Sequence, residues 1–478
     1  MKQYGQFYIN GAWVDPIDAQ GVLEVIDPSI EEAFATIALG GRGDVDRAVA
    51  AASRAFDSFY LTTPAERLEL LKSVLSVYKK RAEDLAWAIS HEMGAPKKMA
   101  LNNQVGSGEA HIRTMIDVMK DYRFERMVGK TMVAKEAIGV VAMITPWNWP
   151  LNQITCKVAP ALAAGCTMIL KPSEVAPISG LVFAEIMHEA GVPAGVFNLV
   201  NGDGPTVGEA MASHPDVHMI SITGSNRAGV AVAKAAAATV KRVHQELGGK
   251  SANIILQDAE ADFAAAVRQG TLECFDNTGQ SCNAATRMLV PQERMSLAAT
   301  VAAEAAGSVT VGPADRDGVR LGPVVSQMQY DKIQDLIASG IAEGATLAAG
   351  GLGRPEGLNR GYFVRPTVFA DVKPGMRIER EEIFGPVLSI VGYQDEEDAI
   401  RIANDTIYGL AAYVSSSDLD RARRVARRLR AGNVHINYPD WDTYAPFGGM
   451  KQSGNGREYG EFGLDDFLEI KGIIGYAE

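Results

Sequence analysis

The chain reads as an α/β protein built from two successive doubly wound runs. Short β-rich segments alternate with helical ones between residues 138 and 250, and a second alternation begins at Ala252. Gly248-Gly249 lies between the two runs as a hinge. Strands separated by helices form βαβ units, so each sheet should be mostly parallel and covered on both faces. The third observation is one of size. With 478 residues, 47% hydrophobic and 22% charged, the chain has apolar mass for more than one core.

Taken in order, residues 45–120 are mainly helical, with Leu68, Leu70, Leu71, Val74 and Leu75 at helical spacing. The first alternation then predicts a strand at 140–145, an apolar helix at 151–164 and a strand at 167–171. A helix at 177–190 follows, opened by Pro177. Next come a strand at 196–200, a helix at 205–212, a strand at 217–223, an Ala-rich helix at 226–239 and a strand at 240–247. In the second alternation 253–256, 287–291, 387–393 and 433–438 are candidate strands, and the Gly-rich 349–361 is a surface loop.

Lys and Arg number 46 against 58 Asp and Glu, a net charge of −12. That balance argues against a nucleic-acid or anionic-membrane binder, both of which need basic surface. The basic run RARRVARRLR at 421–430 reads as a solvated helix face. The start, MKQYGQFYINGAWV, has no apolar leader core. The charge-poor stretch 137–170 carries Lys157 alone and is interrupted by Pro146, Asn148, Pro150 and Asn152, so it reads as buried core with a turn. Four cysteines, Cys156, Cys166, Cys274 and Cys282, fit neither a disulfide scaffold nor a zinc pattern. The expectation is a cytoplasmic, reducing setting without a metal, in which a special cysteine is available as a thiolate.

Two familiar motifs fail. Gly249-Lys250-Ser251 lacks the earlier glycine of a phosphate loop, because His244 stands there. Gly202, Gly204 and Gly208 miss the dinucleotide spacing by one residue. Other short segments are chemically suggestive but ambiguous singly. Cys282 follows the flexible turn Thr278-Gly279-Gln280-Ser281, yet a lone cysteine is more often a small core residue. Glu246 ends a predicted strand and alone reads as a surface charge; Lys171 and Glu174 alone read as a solvated pair. Ser225 alone reads as a plain N-cap before the 226–239 helix. Together they change the picture. Asn148, Lys171 and Glu246 all fall at carboxyl ends of strands in one sheet, where doubly wound folds hold ligands. The helix start at Ser225 suits a pyrophosphate.

These segments, taken together, resemble the aldehyde dehydrogenase superfamily over essentially the whole chain. The resemblance is carried by FYINGAWV at 7–14, PWNWP at 146–150, KPSE at 171–174, ITGS at 222–225, QELGGK at 245–250 and TGQSC at 278–282. It continues through EEIFGPV at 381–387, PFGGMKQSG at 446–454 and GREYG at 456–460. It implies an NAD(P)-binding domain formed by 1–116 and 138–248 and an oligomerisation hairpin at 117–137. A catalytic domain at 249–450 and a C-terminal return with an oligomerisation strand at 451–478 complete the expected plan, in a homodimer or homotetramer.

The resemblance also implies roles. Cys282 is the nucleophile, the Asn148 amide and the Cys282 backbone N–H hold the oxyanion, Glu246 is the base that hydrolyses a thioester, and Glu458 relays protons. Thr145, Trp147, Lys171, Glu174, Ser225, Glu382 and Phe384 face the cofactor. Glu174 beside the adenosine ribose favours NAD, and Lys171 keeps NADP possible. Ile222 stands where the family usually has an aromatic residue. Glu246 disfavours a CoA-acylating enzyme. By their nearness to these motifs, Trp149, Gln153, Cys156, Asp276, Ser281, Asn283, Tyr438, Trp441 and Phe447 are expected to line the substrate pocket. These segments contain no Arg, so the expected aldehyde is aromatic or apolar and carries no carboxylate. A cofactor-free cysteine (thio)esterase pairing Cys282 with His244 or His435 is the rival reading.

Overall fold

The computed structural model describes residues 1–258 and 263–477. Its first large sheet has eight strands around five parallel ones. Their spatial order is Arg242–Glu246, Met219–Thr223, Val140–Ile144, Thr167–Lys171 and Phe197–Leu199. The chain moves outward from Val140–Ile144 in one direction, then returns to its other side with Met219–Thr223. A topological switch point therefore opens between the carboxyl ends of those two strands. The edges are closed by antiparallel strands, Gly454–Asn455 on one side and the Phe7–Ile9 and Ala12–Val14 hairpin on the other.

The second large sheet has seven strands. Six are parallel, in the order Thr367–Ala370, Val387–Tyr393, Arg287–Pro291, Ala252–Ile255, Ala411–Ser415 and Asn433–Ile436, with Thr346–Ala349 antiparallel at the edge. Each large sheet is sandwiched between two apolar clusters, one per face. Continuous burial of strands such as Thr167–Lys171 follows, which is why those segments read as unbroken apolar runs.

Helix ends follow local chemistry. Thr63 caps Pro64–Lys80 and is capped in return by Glu66. Pro150 opens Pro150–Ala164, every residue of which is buried. That helix and the strands beside it account for the charge-poor stretch of the sequence.

Several boundaries differ from expectation for identifiable reasons. Val240 takes a left-handed φ of 55°, so its strand begins at Arg242. Asn437 and Tyr438, with φ of 54° and 48°, end the Asn433–Ile436 strand early and turn their side chains out of the ladder direction. The 205–212 helix is a π-helical turn, Gly204–Gly208, followed by Glu209–Ser213. The Gly106–Asp121 helix continues past residue 117, and the hairpin strands are Glu125–Val128 and Thr131–Ala137. Within 451–478 a helix, Gly460–Asp466, comes before the strand. That strand, Leu468–Ile473, pairs antiparallel with Thr131–Ala137 of the same chain. Among the described residues no helix is long and apolar enough to cross a membrane.

Candidate active site at the meeting of two sheets

The carboxyl ends of the first sheet supply one wall of the site. Thr145 follows the Val140–Ile144 strand; its N–H donates to the Lys171 carbonyl (3.1 Å), and its buried hydroxyl has no partner. Thr223, at the end of the strand across the switch point, also has a buried hydroxyl without a partner. Lys171 is buried, and its Nζ reaches the Pro172 carbonyl (3.2 Å) and Glu174 (3.1 Å). Ser225 caps Asn226–Ala236 by accepting the Ala228 N–H at 3.3 Å, leaving the rest of the helix start open. Ile222 is buried in the strand before it.

Trp147 meets Phe384 edge to face, with ring centroids 5.3 Å apart. Phe384 has φ of 60°, and Gln329 Nε2 donates to its carbonyl at 2.9 Å. Glu382 accepts the Gly249 N–H at 2.9 Å, and burial pushes its carboxyl up. Of the residues expected to face the cofactor, Thr145 and Lys171 meet at neighbouring strand ends, Lys171 pairs with Glu174, and Trp147 packs on Phe384.

Cys282 is half-buried at the end of a tightly wound turn in which Asn277 and Thr278 have φ of 54° and 56°. The Gly249 backbone passes so close that a Cβ there would lie 2.3 Å from the Cys282 carbonyl oxygen. Asn148 is held at both ends. Its carbonyl accepts from Asn277 Nδ2 (2.8 Å) and Gln104 Nε2 (3.0 Å), and its own Nδ2 donates to the Gln280 carbonyl (3.0 Å). The second amide hydrogen of Asn148 remains for another acceptor. Burial pushes the Cys282 thiol up, and the nearby carboxylates Glu382, Glu246 and Glu458 push it further. Both effects favour the thiol over the thiolate expected from sequence, so a group that accepts the proton would assist attack.

Glu246 is 2% exposed, and neither carboxylate oxygen has a hydrogen-bond partner. Burial raises it, Glu458 adds to that, and His244 and Lys157 oppose it; the result is a carboxyl pushed up to about 7. Glu458 is equally buried but ion-paired with Lys157, which holds it below the ordinary carboxylate range against its burial. Two neighbouring buried carboxylates thus have opposite protonation tendencies. Lys157 was legible as the lone charge in an apolar helix; a buried ammonium requires a partner.

A cavity of about 1240 Å³ opens on Cys282. Trp149, Gln153, Asp276, Ser281, Asn283, Tyr438, Trp441 and Phe447 all line it. Trp149 Nε1 donates to Ser281 Oγ at 2.8 Å. Phe447 stacks on Tyr459, also in the wall, at 4.9 Å and 21°, and Tyr438 stacks on Tyr413 at 5.0 Å and 23°. Cys156 is the exception: it is absent from the wall, and its Sγ faces Glu458 Oε2 at 3.3 Å. A second correction concerns charge. Arg316, Arg320, Lys97 and Lys98 line the cavity from segments outside the quoted motifs, and Arg320 is paired with Asp276 at 3.1 Å.

Of the histidines of the rival reading, His435 lines the same cavity as Cys282 and His244 lies beside Glu246. His244 contacts Asp466 (2.8 Å) and Glu246 (3.5 Å), and His435 stacks on Tyr413 at 4.6 Å.

Comparison with known proteins agrees with this geometry. The model of the aldehyde dehydrogenase family matches residues 13–473. A 3-succinoylsemialdehyde-pyridine dehydrogenase from a Pseudomonas species is 54% identical over 477 residues, which is 100% of this chain and 99% of that protein. Among solved structures, a cysteine-to-alanine mutant of aldehyde dehydrogenase C from Pseudomonas syringae, in complex with NAD+ and octanal, is 53% identical. It superposes with a TM-score of 0.97 over 99% of this chain and 97% of its own. Betaine aldehyde dehydrogenase from Staphylococcus aureus, in complex with NAD+, is 35% identical with a TM-score of 0.95, over 99% of this chain and 95% of its own.

Proposed function

The chain belongs to the aldehyde dehydrogenase family, and from that premise we propose that it oxidises an aromatic or long apolar aldehyde to its acid, with Cys282 as nucleophile and Glu246 as base. The observation that carries this reading is the pairing of a half-buried thiol at the floor of an aromatic-walled cavity with a buried carboxyl that accepts no hydrogen bond and is pushed up to about 7.

The residues of the first crevice fit NAD. Thr145 and Thr223 offer spare buried hydroxyls, Lys171 and Glu174 suit an adenosine ribose, the helix start at Ser225 suits a pyrophosphate, and Glu382 retains accepting capacity for a second ribose. The carboxylate of Glu174 would repel a 2′-phosphate, which favours NAD over NADP. When bound, NAD supplies the hydride acceptor that converts the first adduct to a thioester.

The chain's own groups do the rest. Cys282 Sγ bonds to the aldehyde carbon as its proton leaves to a base, and the carbonyl oxygen becomes an oxyanion facing the free Asn148 amide hydrogen and the Cys282 N–H. After oxidation the carbonyl re-forms on sulfur. Glu246 takes a proton from water, the hydroxide adds to the thioester carbon, and the C–S bond breaks to release the acid and restore Cys282.

The aromatic cavity wall supports the substrate class, as do one relative named for 3-succinoylsemialdehyde-pyridine and another bound to octanal. The exposed three-stranded sheet formed by Glu125–Val128, Thr131–Ala137 and Leu468–Ile473 is our proposed subunit contact in a dimer or tetramer. The test is a panel of benzaldehyde, octanal and succinic semialdehyde with NAD and NADP, run on wild type and Cys282→Ala. Benzaldehyde or octanal should be preferred with NAD, and the variant should lose roughly 10⁴-fold or more in kcat. Preference for succinic semialdehyde, or wild-type turnover by the variant, overturns the reading.

A further inference from the structure

Glu246 and His244 are two residues apart on the Arg242–Glu246 strand, so both side chains leave the same face of the sheet. His244 is 3% exposed. Its Nε2 lies 3.5 Å from Glu246 Oε1, and its Nδ1 lies 2.8 Å from Asp466 Oδ2. The ring therefore lies between two carboxylates within ion-pair distance, although neither nitrogen makes an aligned hydrogen bond. Asp466 is fixed in turn by the Arg457 N–H at 2.8 Å. Gly456 completes the arrangement: a Cβ at that position would lie 2.8 Å from the His244 ring and 2.7 Å from Asp466 Oδ2. With φ of +84°, Gly456 also holds a conformation that side chains disfavour.

A neutral imidazole donates from one nitrogen only, whereas here both nitrogens face carboxylate oxygens. We propose that His244 carries a positive charge and is the counter-ion of Glu246, a positioning residue held in place by Asp466. Burial opposes that charge, and the contacts to Asp466 and Glu246 outweigh it, raising the ring to about 9. The surroundings contain other charges. The Pro150–Ala164 helix presents Lys157 and Cys156, and the C-terminal segment presents Glu458 and Asp466. Cys282 faces Glu246 from its turn, and Arg242 lies near Asp466. Lys157 is committed to Glu458, with a further bond to Ser221. Arg457, whose Cδ and Glu246 Oε1 both flank Gly448, turns its Nη1 to the Gly449 (3.0 Å) and Gly456 (2.5 Å) carbonyls, so His244 is the cation within ion-pair distance of Glu246.

The inference rests on the reading of Glu246 as the base only for its effect on rate; the charge pairing itself is testable without turnover. Infrared difference spectra against Glu246→Gln would follow the Glu246 carboxyl stretch as pH is varied. In His244→Gln its titration midpoint should rise by about one unit or more, the size expected on losing an adjacent opposite charge. Asp466→Asn should shift it the same way by less, and the double variant should shift it no further than His244→Gln alone. A midpoint unchanged in both single variants overturns the proposal, even if activity falls. Failure of the base reading looks different: Glu246→Gln would hydrolyse its thioester at the wild-type rate while the midpoint still moved with His244.

Discussion

Both large sheets have a switch point, and among the described residues the two differ in how the chain's own side chains occupy them. In the first sheet the crevice between Val140–Ile144 and Met219–Thr223 ends in groups with spare hydrogen-bonding capacity: Thr145, Thr223 and the helix start at Ser225. In the second, the corresponding crevice lies between Ala252–Ile255 and Ala411–Ser415, and the chain fills it with its own side chains. Asp258 accepts from Ser416 Oγ (2.7 Å) and the Asp418 N–H (3.2 Å) and pairs with Arg421 at 3.3 Å. Asn437 accepts the Ser416 N–H (2.9 Å) and donates to the Ser416 carbonyl (3.0 Å). Topology offers a crevice in each sheet. Whether it binds anything depends on which polar groups remain unsatisfied.

The sharpest way to break this contrast is to remove the spare carboxylate of the first sheet. Glu246→Gln should still give a burst of reduced cofactor about equal to the enzyme present, with steady turnover roughly 10²-fold or more slower. Stopped-flow absorbance of the reduced nicotinamide measures both phases. In the wild type the base form of Glu246 exists above about pH 7, so thioester hydrolysis should fall as pH drops through that value. That acid limb should vanish in Glu246→Gln. Loss of the burst would mean that Glu246 is needed for attack as well as for hydrolysis.

The contrast also explains what was legible in the sequence. The parallel strands of both sheets stood out because they are buried on both faces and read as short apolar runs; Arg287–Pro291 and Val387–Tyr393 fell at their expected positions. The N-terminal hairpin was not anticipated, although Asn10-Gly11, with φ values of 54° and 76°, makes the tight turn between Phe7–Ile9 and Ala12–Val14. The site residues were legible through strand ends and short motifs. The distant partners were not. Nothing in local spacing joins His244 to Asp466, Lys157 to Glu458 or Arg320 to Asp276, because each contact depends on how separate segments pack. Cys156 was misjudged for the same reason: its position near the motifs said nothing of the direction its sulfur takes.

A smaller effect should follow from changing the open crevice without closing it. Glu174 is about a third exposed and paired with the buried Lys171. Glu174→Ser removes the charge that would repel a 2′-phosphate and frees the Lys171 ammonium to attract one. The ratio of kcat/KM for NADP to that for NAD should rise roughly tenfold, equivalent to about 1.4 kcal/mol. An unchanged ratio would remove Glu174 from the ribose subsite.

The weakest perturbation of activity should come from the filled crevice. Asp258→Ala takes one of two partners each from Ser416 Oγ, the Asp418 N–H and the Arg421 guanidinium, which keep Asp418, Ser416 and Glu396, so it should cost about 0.5–1.5 kcal/mol of stability. Thermal unfolding would show this as a lowered Tm. KM for NAD and for the aldehyde should stay within about twofold of wild type, because Asp258 is absent from the wall of the Cys282 cavity and lies at the end of the other sheet from the proposed NAD residues. A large rise in either KM, with Tm unchanged, would mean that the second switch point takes part in binding, and the division of labour between the two sheets would have to be abandoned.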